Sequence, residues 1–142
     1  MKKALFICVT ALMLLSCKTY TVTPERFKEQ FITATDSNAL KGVTVSNPFG
    51  GTITYNANQL EYIEVVSKDG FVVNLENTPS LEMRVTLKDG KKKIMYFDTV
   101  YIENDVLHAK KSRFISSLEQ EIPFGDIVKI EIQDGRKKFS YQ

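Results

Sequence analysis

The chain has 142 residues, enough for a single domain with one hydrophobic core. Lysine and arginine number 19 against 17 aspartates and glutamates, so the formal net charge is only +2. That near balance is atypical of a general nucleic-acid binder, and no nucleic-acid partner is expected.

The first 17 residues contain the three parts of a secretory signal in order. Lys2 and Lys3 form a positively charged start, residues 4–15 form an apolar run, and Ser16 is a small residue before Cys17. A helix that crosses a membrane needs about 20 apolar residues, so this run is too short to span one. Two plainer interpretations stay open: an ordinary signal peptide cut at another position, or a buried N-terminal helix.

Leu14-Leu15-Ser16-Cys17 resembles the lipobox of bacterial lipoproteins. The resemblance implies that residues 1–16 are removed and that Cys17 becomes a lipidated N-terminus, whose acyl chains hold the protein on a membrane. No aspartate directly follows the cysteine, and no acidic residue occurs before Glu25. By analogy with lipoprotein sorting, we expect an outer-membrane anchor in the bacterial envelope with the domain facing the periplasm.

Removal of the signal would also change the composition of the mature chain. Loss of the two signal lysines leaves 17 basic against 17 acidic residues, a formal net charge of zero. Cys8 would leave with the signal and Cys17 would be acylated, so no disulfide could form although the compartment is oxidising. We expect a short tether over residues 17–22 and a single β-domain over residues 23–142, held by its apolar core.

One helix is predicted, over about residues 24–33. Thr23 supplies a capping hydroxyl, a proline suits the first helical position, and Glu25 places an acid in the first turn. Phe27 and Phe31 are four residues apart and share a face, which predicts that the helix docks on the domain through these rings.

Loop residues are frequent over 36–42 and 47–51, and from about Thr52 onward apolar residues recur at every second position. Pairs of turn residues separate the predicted strands: Asp69-Gly70, Asp89-Gly90, Asn104-Asp105 and Asp134-Gly135. We expect the Asp-Gly pairs to form type I′ turns. Residues 113–120 are predicted to be a polar loop, and Pro123 to lie on an edge strand, because proline cannot donate to a ladder.

Hairpins that follow one another in sequence favour antiparallel pairing. The predicted fold class is therefore mainly β: an antiparallel hairpin-rich sheet, small barrel or sandwich-like, with one short N-terminal helix.

Two stretches resemble a known group of proteins. One is Tyr55-Asn56-Ala57-Asn58 with Tyr96-Phe97-Asp98-Thr99-Val100, and the other is Ile122-Pro123-Phe124 with the segment from Asp126 to Gly135. Together with the lipobox they are similar to small uncharacterised envelope lipoproteins of Bacteroidota-type bacteria, over about residues 50–142. The resemblance implies an envelope location and a C-terminal β-domain, and it supplies no activity and no catalytic residue.

Groups that could carry out catalysis are scarce, and we predict that the protein is not an enzyme. His108 is the only histidine and alternates with Val106 and Lys110 on a strand, where a structural or exposed histidine is expected. The sequence has no nucleophile motif, metal-ligand cluster or dinucleotide fingerprint, so we expect no metal and no cofactor. Carboxylate pairs such as Glu119 and Glu121 could support glycoside hydrolysis only across a cleft, and nothing in the sequence indicates one.

Three groups of basic residues could gather at one end of the sheet. They are Lys91, Lys92, Lys93, Lys110, Lys111, Arg113, Arg136, Lys137 and Lys138. Such a patch could contact anionic lipid headgroups or a glycolipid, since each cation near a membrane surface contributes about 1 kcal/mol. The alternative is that these side chains protect strand edges from aggregation.

The sequence thus predicts a lipid-anchored, non-enzymatic β-domain that binds or scaffolds an unknown envelope protein or glycolipid. The expected partner surface is an exposed sheet edge or the aromatic side near Tyr96, Phe97 and Tyr101, because strand addition needs only backbone groups. The alternative function is an inhibitor or immunity protein against an envelope-acting enzyme, with a loop such as residues 113–121 inserted into a foreign active site.

Overall fold

The computed structural model describes residues 18–33, 39–110, 112, 113, 115, 117–135 and 138–142. The predicted signal, the predicted lipidation site Cys17 and the basic residues Lys111, Arg136 and Lys137 lie outside the described residues.

The described residues form twelve β-strands, one α-helix and two short 3-10 turns. In chain order they are β1 (Thr19–Val22), α1 (Pro24–Thr33), β2 (Leu40–Ser46), β3 (Thr52–Asn58), β4 (Tyr62–Val66), β5 (Val72–Glu76), β6 (Leu81–Leu87), β7 (Lys92–Tyr96), the 3-10 turn Phe97–Thr99, β8 (Tyr101–Glu103), β9 (Val106–Lys110), β10 (Glu119–Pro123), the 3-10 turn Phe124–Asp126, β11 (Ile127–Asp134) and β12 (Ser140–Tyr141).

The strands build three antiparallel sheets. Sheet A has six strands in the order β5-β4-β1-β11-β6-β7, sheet B has the order β12-β2-β3, and sheet C has the order β10-β9-β8. The predicted mainly β, antiparallel fold with one helix is therefore confirmed. Across the described residues none of the sheets closes on itself, which is consistent with the sandwich-like form of the prediction.

Helix α1 has the bounds that the sequence predicts. The hydroxyl of Thr23 accepts a hydrogen bond from the Arg26 N–H (3.3 Å), and the Phe27 N–H donates to the Thr23 carbonyl (2.9 Å). Phe27 and Phe31 are fully buried, with ring centroids 4.9 Å apart. Burying one such side chain contributes about 1.5–3 kcal/mol, so these two rings fix the helix on the domain as predicted.

The main core lies between sheets A and C, beneath α1. Phe97 packs edge-on against Phe27, with ring centroids 6.3 Å apart, and Phe124 lies at the same distance from Phe27. The inward side chains of sheet A, such as Ile130, and of sheet C, such as Leu107, complete the cluster. A smaller core in sheet B is centred on three buried residues, Val45, Tyr55 and Ala57.

The N-terminal part of the domain differs from the prediction. The expected tether over residues 17–22 is wrong for its described part, because Thr19–Val22 form β1 between β4 and β11. This segment consists of β-branched and aromatic residues, which favour strands, and Val22 is buried. The expected start of the strands at about Thr52 is also wrong, because Leu40–Ser46 pair along their whole length with β3.

The hairpin turns at Gly70 and Gly90 are not of type I′. In each, only the glycine has a positive φ, +84° and +81° respectively. The N–H of Gly90 donates to the Leu87 carbonyl (2.8 Å), so a type I turn precedes a left-handed glycine. Two consecutive positive φ values, which type I′ requires, occur instead at Asn104 (50°) and Asp105 (62°).

The last Asp-Gly pair does not form a hairpin. β12 pairs with β2 in sheet B, whereas β11 lies between β1 and β6 in sheet A. The Gly135 N–H donates to the Ser80 carbonyl (2.9 Å), and a Cβ atom at this glycine would lie 3.0 Å from that oxygen. The close approach of two backbones favours glycine here, which the sequence alone does not reveal.

Candidate functional site

The predicted aromatic surface is only partly exposed. Phe97 is fully buried, and its inclusion in a partner surface is wrong. The chain leaves β7 after Tyr96 and enters a 3-10 turn, which directs the Phe97 ring into the core against Phe27 and Phe31. Tyr96 and Tyr101 are half-buried, so the three residues do not form one exposed aromatic face.

The predicted basic groups do not gather at one end of sheet A. Lys92 begins β7 and Tyr96 ends it, about 13 Å away at ~3.3 Å per residue. The N–H of Lys110 donates to the hydroxyl of Thr99 (3.0 Å), just beyond that far end of β7. Among the described members, Lys91, Lys92 and Lys138 are exposed, and Lys93 and Lys110 are half-buried.

Arg113 does not belong to any basic surface, and its prediction as a surface contact is wrong. Its side chain is 1 % exposed and pairs with the fully buried Asp98 (Nη2 to Oδ1, 2.8 Å). The guanidinium stacks on the Tyr96 ring, 3.8 Å from the centroid, and lies about 5 Å from the rings of Tyr55 and Phe139. An opposite charge and three aromatic faces together offset the cost of removing this cation from water.

Two tyrosines, the buried Tyr55 and the partly exposed Tyr141, complete the cluster around Asp98. The hydroxyls of Tyr55 and Tyr141 both donate to Asp98 Oδ2, the latter at 3.1 Å. Burial, followed by the nearby Asp98 carboxylate, raises the pKa of both hydroxyls above the ordinary value. The cluster therefore joins sheet B, through β3 and β12, to the 3-10 turn after β7. These contacts give the Asp98 cluster a structural role, because it fastens two parts of the domain together and is not an accessible binding site.

The only histidine of the chain lies on sheet C beside two carboxylates. The His108 ring stacks on Tyr101, with centroids 4.6 Å apart and an interplanar angle of 8°. Its Nδ1 lies 3.9 Å from Glu119 and 3.8 Å from Glu121. The Tyr101 hydroxyl donates to Glu119 (2.9 Å), and burial together with this carboxylate raises the pKa of Tyr101 to about 12. The stacked, half-buried ring is in keeping with a structural histidine.

The outer edge of β5 offers unpaired backbone groups. β5 pairs with β4 alone among the described strands. Ser67 donates its N–H to the Phe71 carbonyl (2.8 Å), which makes 67–71 a hydrogen-bonded pair. Such pairs alternate with non-bonded pairs in antiparallel ladders, so Asn74, opposite Glu64, belongs to a non-bonded pair. The N–H and C=O of Asn74 therefore point away from β4, to a side where no described strand pairs with β5.

The partner of Asn74 confirms this direction of the backbone. The N–H of Glu64 donates to the side-chain oxygen of Gln30 (2.7 Å), and the Gln30 amide donates back to the Glu64 carbonyl (3.0 Å). Both backbone groups of Glu64 are thus satisfied by helix α1, on the side of β4 away from β5. Among the described strands none pairs with the outward donors and acceptors of β5, which recur at every second residue.

Apolar side chains accompany this edge. Phe71 and Val72 are 71 % and 65 % exposed, and Tyr62 and Val66 on β4 are also exposed. The sequence of β5 contains no lysine, arginine or proline, the residues that usually protect an edge. The opposite edge of sheet A, β7, carries Lys92 and Lys93, and the Gln120 amide donates to its Ile94 carbonyl (3.1 Å).

The described residues contain neither a metal-ligand cluster nor a membrane-spanning helix. No three histidine, cysteine, aspartate or glutamate side chains lie in a group that could hold a metal ion. No helix in this part of the chain is long and apolar enough to span a membrane.

Comparison with known proteins gives no relative from which a function could be transferred. No family model, no curated protein and no solved structure matches the chain.

The features that sequence reasoning missed share one property: they depend on which strands become neighbours. Arg113 resembles a loop cation in the sequence, and only the fold brings Asp98 to it. The sequence predicts that an exposed sheet edge forms the binding site, but it does not indicate that β5 is that edge. The one local hint was Phe71-Val72 directly after a turn glycine, two apolar residues where a hairpin is usually polar.

Proposed function

We propose that the chain is a lipid-anchored protein of the bacterial envelope whose non-enzymatic β-domain binds another envelope component by strand addition at β5. The lipobox-like Leu14–Cys17 segment supports the anchor. The single observation that carries the binding function is the open outer edge of β5, with the N–H and C=O of Asn74 pointing away from β4.

Strand addition explains the composition of this edge. An extended peptide that pairs with β5 gains main-chain hydrogen bonds from every second residue, while side-chain contacts give specificity. Exposed Val72 supplies an apolar contact at one end of the strand, and Glu76 supplies a charge at the other. An edge strand without lysine or proline promotes aggregation unless another segment covers it. A bound partner strand explains why β5 carries no such protective residue.

The inhibitor alternative depended on an insertable loop over residues 113–121. Arg113 is held under Tyr96 by its ion pair with Asp98, and Glu119–Pro123 form β10 in a ladder with β9. Both ends of the segment are thus fixed to the domain, and we favour strand addition over loop insertion.

The anchor is tested with two single substitutions in the full chain. Cys17→Ser should abolish labelling by radioactive palmitate and move the domain from the membrane to the soluble fraction. Cys8→Ser is the matched control, because this cysteine would leave with the signal, and it should change neither result. Undiminished palmitate labelling of the Cys17→Ser variant would rule out lipidation at this residue.

Binding at β5 is tested by blocking its outward N–H. Asn74→Pro removes a donor that points to solvent, a position where edge strands tolerate proline, so the fold should survive. Lys92→Pro is the control, since the N–H of Lys92 points outward from the opposite edge, β7. A photoreactive residue at position 76 should crosslink one specific partner in cells, and Asn74→Pro alone should remove that adduct. A crosslink that survives Asn74→Pro would contradict binding by strand addition.

A further inference from the structure

Two grooves flank the start of β1, and Lys18 lines both. The larger, of about 440 Å³, lies beside the β4–β5 turn and includes Lys18, Tyr20, Lys68, Asp69, Phe71 and Val73. The smaller, of about 310 Å³, lies on the other side of Tyr20 and includes Glu76 and Asp134. The two grooves thus differ in charge, because the first has two lysines against one aspartate and the second has one lysine against two carboxylates.

The larger groove combines apolar and basic groups at a protruding turn. Phe71 follows the left-handed Gly70 and is 71 % exposed. Lys68 is exposed in the same turn, and Lys18 is exposed at the other side of the groove. An aromatic ring flanked by lysines suits the boundary between acyl chains and anionic headgroups, where the ring is buried and each ammonium meets a phosphate.

The start of β1 leaves almost no slack between this groove and position 17. β1 begins at Thr19, so a single residue separates Cys17 from a strand in the middle of sheet A. Successive Cα atoms are 3.8 Å apart, and Thr19 therefore lies within about 8 Å of Cys17. If acyl chains enter a bilayer at Cys17, the surface around Lys18 has to face that bilayer.

We infer that the larger groove is a membrane-contact surface, on which Phe71 enters the lipid interface while Lys18 and Lys68 bind anionic headgroups. This inference rests on the lipid anchor of the proposed function. The occupant is the bilayer that carries the anchor. Only one residue separates Cys17 from β1, so the bilayer surface lies close to this groove, and its negative charge is complementary to the two lysines. The acidic groove on the other side of Tyr20 then lies away from the headgroups.

A fluorescent label at position 71 tests the inference. In the mature lipidated chain Cys17 has no free thiol, so Phe71→Cys introduces a single site for an environment-sensitive nitrobenzoxadiazole dye. The labelled protein is reconstituted in vesicles of phosphatidylethanolamine and phosphatidylglycerol that contain spin-labelled phospholipid. We expect the emission of the dye to shift to the blue and to be quenched by the spin-labelled lipid.

Phe49→Cys is the matched control, because Phe49 is 93 % exposed in a glycine turn of sheet B. A dye at position 49 should keep the emission of a water-exposed dye and escape quenching. Lys68→Gln, added to the Phe71→Cys variant, should lower the ratio of contacting to free molecules about fivefold, the equivalent of the ~1 kcal/mol that one cation near an anionic surface contributes.

Three results would overturn the inference. A dye at position 71 that behaves as at position 49 shows that the turn stays in water. A blue shift without quenching shows that an acyl chain of the same protein, and not the bilayer, fills the groove. A signal that appears only at high protein density shows contact with a second copy. Membrane retention and palmitate labelling of the same samples report the anchor separately, so loss of the anchor is distinguishable from loss of this contact.

Discussion

At the scale of single residues, the Asp98–Arg113 pair is the most consequential contact outside the apolar core. Asp98 receives hydrogen bonds from Arg113, Tyr55 and Tyr141, and it is fully buried. The guanidinium has two further nitrogens, Nε and Nη1, without hydrogen-bond partners among the described residues. The stacking on Tyr96 therefore replaces hydrogen bonds that a buried arginine usually makes. Asp98 thus joins sheet B to the rest of the domain, together with Asn58 of β3, whose side-chain amide donates to the Phe97 (2.9 Å) and Val100 (3.0 Å) carbonyls.

Asp98→Ala should destabilise the protein strongly. The substitution leaves the Arg113 cation buried without a counter-charge, and breaking a buried pair in this way costs about 3–5 kcal/mol. The free energy of unfolding, measured by urea denaturation, should fall by this amount. Glu29→Ala is the control, because it removes an exposed pair with Arg26 (3.2 Å) of a kind that contributes about 0–1 kcal/mol. Equal losses in the two variants would show that Asp98 has no special role.

The tyrosines predict how stability changes at alkaline pH. Burial raises the pKa of Tyr101 from 10.0 to about 12, and it also raises the pKa values of Tyr55 and Tyr141. Between pH 10 and 12 the unfolded chain loses these protons while the folded chain keeps them, so the free energy of unfolding should fall as pH rises. Below pH 10 the contribution is fully present. Urea denaturation across this range should show a shallower decline for Tyr101→Phe, and a level curve for the unmodified protein would contradict the assignment.

At the scale of elements, glycine stabilises the fold at positions 90 and 135 for two different reasons. Gly90 has φ +81°, so Gly90→Ala places a side chain in the left-handed region and should cost about 1–2 kcal/mol. Gly135→Ala should also destabilise, because the new Cβ would lie 3.0 Å from the Ser80 carbonyl oxygen. Gly125→Ala is the control, since its φ is not positive and nothing lies within 4 Å of the added atom. Melting temperatures that fall equally in all three variants would refute both explanations.

The sequence predicts best those elements that are formed by contacts between residues close together in the chain. Helix α1 could be predicted from Thr23, Phe27 and Phe31 because a cap and an apolar face are encoded within ten residues. The β4–β5, β6–β7 and β8–β9 hairpins could be predicted for the same reason, from turn residues between alternating strands. Strand β1 could not be predicted in this way. Its four residues form a strand only because they pair with β4 on one side and with β11 on the other.

The candidate site was predicted less well because solvent exposure is a property of the assembled fold. The alternation of apolar and polar residues indicates which side of a strand is apolar. It does not indicate which way the Phe97 side chain points, because the strand ends at Tyr96 and a 3-10 turn then buries Phe97. Arg113 lies in the segment predicted to be a polar loop, so the burial of its side chain against Asp98 was not expected. The open edge at β5 follows only from the strand order of sheet A, in which β1 and β11 from opposite ends of the domain become neighbours.

At the scale of the whole molecule, the position of β1 connects the fold to the proposed membrane attachment. β1 is a central strand, paired with β11 over four residues, so the chain enters the domain through the middle of its largest sheet. A pull or a lateral force on Cys17 would therefore be transmitted directly to sheet A. The same geometry would set the orientation of the domain, with the β4–β5 turn at the bilayer and the β5 edge leading away from it.

Lengthening the connection should separate attachment from orientation. Eight Gly-Ser residues inserted between Cys17 and Lys18 would span about 16 Å as a random coil, enough to lift the groove off the bilayer. Palmitate labelling should persist, because the anchor is intact. Quenching of the dye at position 71 should fall, since the local concentration of the groove at the lipid surface drops with linker length. The same insertion between Gly50 and Gly51 should leave both unchanged, and undiminished quenching with the long tether would mean that slack at Cys17 does not control orientation.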